Sequence, residues 1–388
     1  MLSPLLEKYT KIQGELDKKY KKCVLLMQVG SFYEVYGFDC DRIKMGYVKV
    51  VTEILNSRMT KKNKSKPHNI DNPYMCGFPC EVVSKHLKLL LKNNLTVAIY
   101  NQDKVKSKNK DHELFGIFSP STYIDDNNFN ENNELMCIIV DEYNCIINKK
   151  KMYSLYISSI DLSTGKNKVF ECHNTKDFIM NEIHKQIDSI LPREIICNIE
   201  LSEHIINGIL IHNIKDNKDY KDINYQTTFL EKIFGKQDLL NVIEYINLER
   251  NQDLIYCYIH LLQFAYEHDP NIIKKIYKPN NISYSEDILK LNHDAFTELH
   301  IIKLFDIINK TSTKIGERLL KHRLTNPIVC SEELNKRYNN IDYFKNNIKI
   351  YKKLLENIND IEKYNRKMVL GQLSPNSFAN LNNSYKNI

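Results

Sequence analysis

Nowhere does the 388-residue chain hold an apolar run near the roughly 18 residues a bilayer-spanning helix needs. Its start, MLSPLLEKYTKIQGELDKKY, lacks the apolar core of a signal peptide. A soluble, intracellular chain without membrane association is expected. A glycine-rich phosphate loop is also missing. The two Gly-Lys pairs, Gly165-Lys166 and Gly235-Lys236, are followed by Asn and Gln, and neither has a Gly five residues upstream. The amide cradle and the Ser or Thr metal ligand of a nucleotide site are therefore absent, and the chain reads as a non-enzyme with no bound cofactor. Ten cysteines include no pair of CxxC type. Cys76 and Cys80 are separated by three residues with no His or second Cys pair at ligand spacing, which argues against zinc, and the expected compartment argues against disulfides.

What is present begins with charge. The whole chain carries +7, yet residues 1–120 alone hold 21 Lys and Arg against 12 Asp and Glu. The excess lies in RMTKKNKSKPH (58–68) and KVKSKNK (104–110), where few apolar residues intervene. Such runs read as mobile loops whose natural partner is a polyanion, with solvated loops of a Lys-rich chain as the plainer alternative.

Periodicity divides the chain in three. Ser3-Pro4 is a helix start, and Leu5, Tyr9, Ile12, Leu16 and Tyr20 follow at helical spacing. CVLLMQV (23–29) and LTVAIYN (95–101) read as buried strands flanking a helix at 82–91. These predict a small mixed α/β domain over 1–120. The Asp- and Asn-rich segment 123–134 reads as a linker. Strands around 135–143 and 154–172, with an STG turn in a hairpin, and a helical pattern over 176–190 predict a second α/β domain at 125–225. From 226 to 388 the spacing is helical throughout, and the last helix, opened by Ser374-Pro375, is still running at Ile388. That ending suggests a fragment or truncated gene product.

The stretch LLMQVGSFYEVYGFD (25–39) places two aromatics and a carboxylate directly after a buried strand. It resembles the G-x-F-Y-E signature of the MutS mismatch-repair family. MCGFPCEVVSKHLKLLLKNNLTVAIYNQ (75–102) is similar to a later segment of the same mismatch-binding domain, and ELFGIFSPSTYID (113–125) to its exit. YISSIDLSTGKNKVF resembles the hairpin of the family's ribonuclease H-like connector domain. LKLNHDAFTELHII (289–302), NKTSTKIGERLLKHRLTNPI (309–328) and NDIEKYNRKMVLGQLSPNSFANL (359–381) resemble the start of its helical core and lever domain. The likeness is collinear over nearly the whole chain, and divergent branches in large DNA viruses and some organelles look similar.

The resemblance implies recognition of mispaired or unpaired bases and small loops in double-stranded DNA. Phe32 is the expected wedge in the minor groove, Glu34 the group meeting the displaced base, and Tyr33, by strand alternation, a packing residue. Arg58, Lys61 and Lys62 are candidates for backbone phosphates. Ser31 stands where the family commonly has Asp, and the insert at 58–68 is more charged than usual. ATP and Mg²⁺ are expected only in a C-terminal ATPase region absent here, and a MutS-like dimer partner and a MutL-like repair partner are implied. The chain would reside wherever DNA does, whether nucleus, viral factory, organelle or bacterial cytoplasm. Two alternatives stand beside this reading. One is an interaction module that binds repair partners through the connector surface. The other is a nuclease holding Mg²⁺ between Asp141 and Asp161.

Overall fold

The computed structural model describes residues 3–40, 43–69, 71–102, 112–124, 133–145, 151–201, 208–215, 217–282, 288–289, 291 and 293–388. The basic run at 104–110 and most of the Asn-rich segment at 123–134 lie outside them.

Helix α1 (Pro4–Lys19) precedes a sheet of strands β1 (Cys23–Val29), β2 (Phe32–Cys40), β3 (Ile43–Met45), β4 (Thr60–Lys61), β5 (Tyr74–Pro79), β6 (Thr96–Gln102) and β7 (His112–Phe118), with α2 (Val48–Leu55) and α3 (Val83–Lys92) between them. The spatial order is β4-β5-β2-β1-β6-β7, with β3 on β2. Only the β1–β6 pair is parallel. β1 is apolar at every position but one because both of its faces are covered. Val24 and Leu26 join the core under α2 and α3, while Cys23, Leu25 and Met27 join the core under α1. Each fully buried Leu or Met contributes about 1.5–3 kcal/mol. α1 starts where Pro4 predicts, but Ser3 makes no side-chain cap. Its hydroxyl instead accepts a hydrogen bond from Lys62 Nζ at 3.2 Å.

The second sheet contains β8 (Glu134–Asn144), β9 (Lys151–Asp161), β10 (Lys166–Asn174), β11 (Glu194–Cys197), β12 (Leu210–Asn213) and β13 (Asn280–Asn281), in the order β12-β11-β8-β9-β10-β13. An antiparallel meander, β8 to β10, is extended beyond β8 by two parallel strands, in keeping with the ribonuclease H-like arrangement expected. α4 (Lys176–Ile190) covers one face. The other face is covered by α5 (Ile223–Phe234), α6 (Val242–Tyr245) and α7 (Gln252–His268). These three helices were expected to open the helical third region at 226. Their apolar stripes instead close over Leu135, Cys137, Ile139, Tyr156 and Ile160, so the second unit runs on to β13.

The rest is helical: α8 (His293–Glu298), α9 (Ile301–Ile308), α10 (Lys314–Thr325), α11 (Ser331–Lys345), α12 (Ile348–Leu355), α13 (Ile361–Val369) and α14 (Pro375–Lys386). Mixed α/β architecture followed by helices matches the expected fold class. The units are joined by polar contacts. Glu194 at the start of β11 accepts from Ser119 Oγ (2.6 Å), Ser121 N (2.8 Å), the Ser121 hydroxyl and His212 Nε2 (2.9 Å), which pins the exit of the first unit to the second. Arg318 on α10 forks onto Asp360 (2.7 and 2.8 Å) and reaches Glu362 (2.7 Å), and Lys166 meets Glu362 from the second unit at 2.5 Å. Arg366 donates to the carbonyls of Ile272, Lys274 (2.6 Å) and Lys275 (3.3 Å).

Candidate nucleic-acid interface

The β1–β2 hairpin closes through two residues, Gly30 and Ser31, with Val29 opposite Phe32. A two-residue loop of the hairpin type requires a left-handed first position, and Gly30 supplies φ +64°. The turn is held from several sides. Gln28 Nε2 donates to the Gly30 carbonyl (3.1 Å), Gly30 N donates to Gln102 Oε1 (3.3 Å), Gln102 N donates to Gln28 Oε1 (3.0 Å), and Cys80 N donates to the Ser31 carbonyl (2.9 Å). The hairpin tip is therefore fixed by the two glutamines and by the neighbouring β5.

Alternation along β2 sorts the side chains as expected. Tyr33 turns into the core under α2 and α3, 7% exposed, and its hydroxyl donates to Asn101 Oδ1 at 2.6 Å. Phe32, Glu34 and Tyr36 share the opposite face. Along that face burial falls toward the tip: Tyr36 is fully buried against Tyr9 (ring centroids 5.0 Å, nearly perpendicular), Glu34 is half-buried, and Phe32 is 45% exposed. The Tyr36 hydroxyl donates to Glu34 Oε2. Burial, reinforced by the Glu34 carboxylate, raises the Tyr36 phenol above its ordinary value, so it stays a donor. Gly77 on β5 lies directly across from Glu34. A Cβ there would stand a tight 3.1 Å from the Tyr33 carbonyl and in ordinary contact, 3.5 Å, with Glu34 Cγ, so glycine suits the close backbone approach of β5 to β2.

The basic insert is an organised loop in place of the mobile one expected. Asn72, buried, donates to the carbonyls of Asn63 (2.9 Å), Lys66 (3.1 Å) and Pro67 (3.0 Å) and accepts from Asn63 N (2.6 Å), and His68 stacks on Tyr74 with centroids 4.0 Å apart. Arg58 is exposed just before β4. The register Tyr36–Met75–Thr60 and Gly37–Tyr74–Lys61 places Lys61 on the sheet face opposite Glu34, with its Nζ on the Lys66 carbonyl at 2.8 Å. Lys62 returns to the near face, 5.8 Å over the Tyr36 ring. Of the three basic candidates, the structure brings only Lys62 to the side chains around Glu34. Tyr36, Gln28, Gln102 and Asn72 were not singled out from sequence, although strand alternation alone puts Tyr36 beside Glu34.

The proposed Mg²⁺ pair does not assemble. Asp161 lies opposite Glu134 and Asp141 opposite Ser154 on the same strand pair, seven residues or about 23 Å apart along β8. Asp161 is buried and accepts from Ser163 N (2.9 Å), Ser163 Oγ (2.6 Å) and Thr164 Oγ1 (2.9 Å), the bonds of a hairpin turn. Among the described residues no group of three or more His, Cys, Asp or Glu could hold a metal ion. Neither Gly-Lys pair forms a phosphate loop: Gly165 closes that hairpin turn and Gly235 ends α5. Among the described residues, no helix is long and apolar enough to cross a membrane.

A hairpin held on several sides, with an exposed aromatic beside its turn, sits on a mixed α/β unit joined to a second sheet and then to helices, which is the fold class expected of the MutS family. Comparison with known families agrees: residues 3–127 match MutS domain I and residues 287–388 match MutS domain III, together more than half of the chain. The chain belongs to the MutS family. It is 28% identical to a putative DNA mismatch repair mutS homologue of Acanthamoeba polyphaga mimivirus, over 98% of this chain and 38% of that protein. It is 26% identical to the DNA mismatch repair protein MutS of Caldanaerobacter subterraneus subsp. tengcongensis (100% of this chain, 43% of that protein) and to that of Macrococcus caseolyticus (100% and 41%). The chain thus spans about two fifths of the length of these relatives.

Proposed function

We propose that this chain recognises mispaired or unpaired bases in duplex DNA, with Phe32 as an apolar wedge in the minor groove and Glu34 meeting the displaced base. The observation that carries the reading is the 45% exposure of Phe32 at the tip of a hairpin whose turn is hydrogen-bonded on several sides. A ring inserted at a base step replaces the stacking lost when that step opens and holds a kink. A paired duplex resists the opening by a few kcal/mol and a mispair resists less, so discrimination arises from deformability without any sequence being read. Lys62 on the same face, with Arg58 and Lys61 elsewhere on the insert, supplies salt-sensitive attraction to phosphates. In this reading ATP and Mg²⁺ act in a C-terminal ATPase region that these residues do not supply. A MutS-like dimer partner and a MutL-like repair partner complete the assembly.

Fluorescence anisotropy on a homoduplex and on the same duplex with one mismatch tests the proposal. The expected result is a mismatch preference that Phe32→Ala abolishes, over a salt-dependent background that survives. Equal binding of both duplexes by both proteins would overturn it, and would favour docking of repair partners through the second unit.

A further inference from the structure

We infer that Tyr36 is a positioning residue for mismatch discrimination, holding one oxygen of Glu34 so that the other is presented beside Phe32. The inference rests on the function proposed above and adds to it a residue that does not itself reach the base.

Four contacts converge on this arrangement. The Tyr36 hydroxyl donates to Glu34 Oε2, two residues back on the same face of β2. The Tyr36 ring cannot swing away, because it is fully buried with the Tyr9 ring packed nearly perpendicular to it. Lys62 covers the ring while tied to the Ser3 hydroxyl at the start of α1. Gly77, across the strand pair, leaves the Glu34 stem a floor without a side chain. A carboxylate on an exposed strand end ordinarily samples several rotamers, and ordering it on binding costs free energy. Here a buried phenol restricts those rotamers before DNA arrives. A hydrogen bond to an ionised group is the strong kind, and it leaves the carboxylate with acceptor capacity on Oε1.

The tests use the whole chain and the two duplexes already named. Tyr36→Phe keeps the ring and its packing on Tyr9 and removes only the hydroxyl. It is expected to lower the ratio of mismatch to homoduplex affinity about tenfold, the effect of losing one charge-assisted bond. In a Glu34→Ala background the same substitution is expected to change the ratio less than about twofold, because the group it positions is gone. Tyr258→Phe, which removes a fully buried hydroxyl bonded at 3.0 Å to Asn167 Oδ1 in the second unit, serves as the control and leaves the ratio unchanged. A ratio unaffected by Tyr36→Phe while Phe32→Ala abolishes discrimination overturns this inference alone. Equal losses from Tyr36→Phe with and without Glu34 would also overturn it, showing a structural effect of the hydroxyl. A wild-type chain with no mismatch preference overturns the proposed function and this inference together.

Discussion

Phe32 leaves nearly half of a large apolar ring in water, an arrangement that folding alone does not favour. Removing it is expected to leave the melting temperature within about 2 °C of wild type, because a surface substitution away from the core changes stability by about 0.5 kcal/mol or less. A thermal melt of Phe32→Ala checks this, and a large loss would make the ring a core residue. Glu134 is the opposite case. It is partly buried, its Oε2 is shielded from solvent with no hydrogen-bond partner among the described residues, and burial, with Asp161 adding, raises it to about 8. An unfolded Glu ionises near pH 4.3, so between there and about pH 8 the folded state binds the extra proton and stability falls as pH rises. Glu134→Gln should therefore stabilise the chain at pH 8, by on the order of 3 kcal/mol, and change little at pH 4, as read from urea midpoints at the two values. The facing of Tyr33 away from Phe32 and Glu34 was legible in the sequence because strand alternation needs only period two. It did not separate Lys61 from Lys62, since their facing is set by the pairing of Thr60 with Met75 and of Lys61 with Tyr74, and a two-residue strand carries no pattern of its own.

At the scale of elements, the hairpin turn is the most exposed to backbone chemistry. Gly30 has φ +64° and open space where a Cβ would stand, so the cost of a side chain there is purely conformational. Gly30→Val is expected to destabilise by about 1–2 kcal/mol and Gly30→Asn by distinctly less, since Asn tolerates the left-handed region. Paired thermal melts decide the order. Several elements were readable to within a residue: β1 matches the apolar run, and α4 covers the helical pattern at 176–190. One expected helical stretch is broken, however, because His300 takes φ +50° between α8 and α9. The larger difference concerns α5 to α7. Helical periodicity says that a stripe is buried, yet is silent on whether helix or sheet buries it.

Across the whole molecule, charge joins the units. Burial would raise Asp360 and Glu362, but Arg318 overcomes it for Asp360, and Lys166 with Arg318 does so for Glu362, so both carboxyls lie below their ordinary values. Groups lowered in this way stabilise fully above the unfolded pKa near 4, and that stability is lost as pH falls through the folded values. Burial lowers His268, whose unfolded counterpart takes up a proton near pH 6.5 while the folded ring resists, so some stability is already lost below that pH. In a Glu134→Gln background, which removes the opposing trend of that buried carboxyl, a melting curve against pH should decline gently below about 6.5 and steeply below about 4. Arg318→Ala strands a buried carboxylate and is expected to cost about 3 kcal/mol at neutral pH, measured by urea unfolding.

The closure of α5 to α7 over the second sheet also sets where the polypeptide can be divided. Stopped after residue 225, the gene product would keep β8, β9 and β11 but lose the cover over Leu135, Ile139 and Ile160, presenting a sticky sheet face to the cytosol of an expression host. Stopped after residue 282, where Ile282 N still donates to the Val169 carbonyl at 2.8 Å, it would retain a sealed core beside the hairpin. The shorter piece should appear in inclusion bodies and the longer one in the cleared lysate.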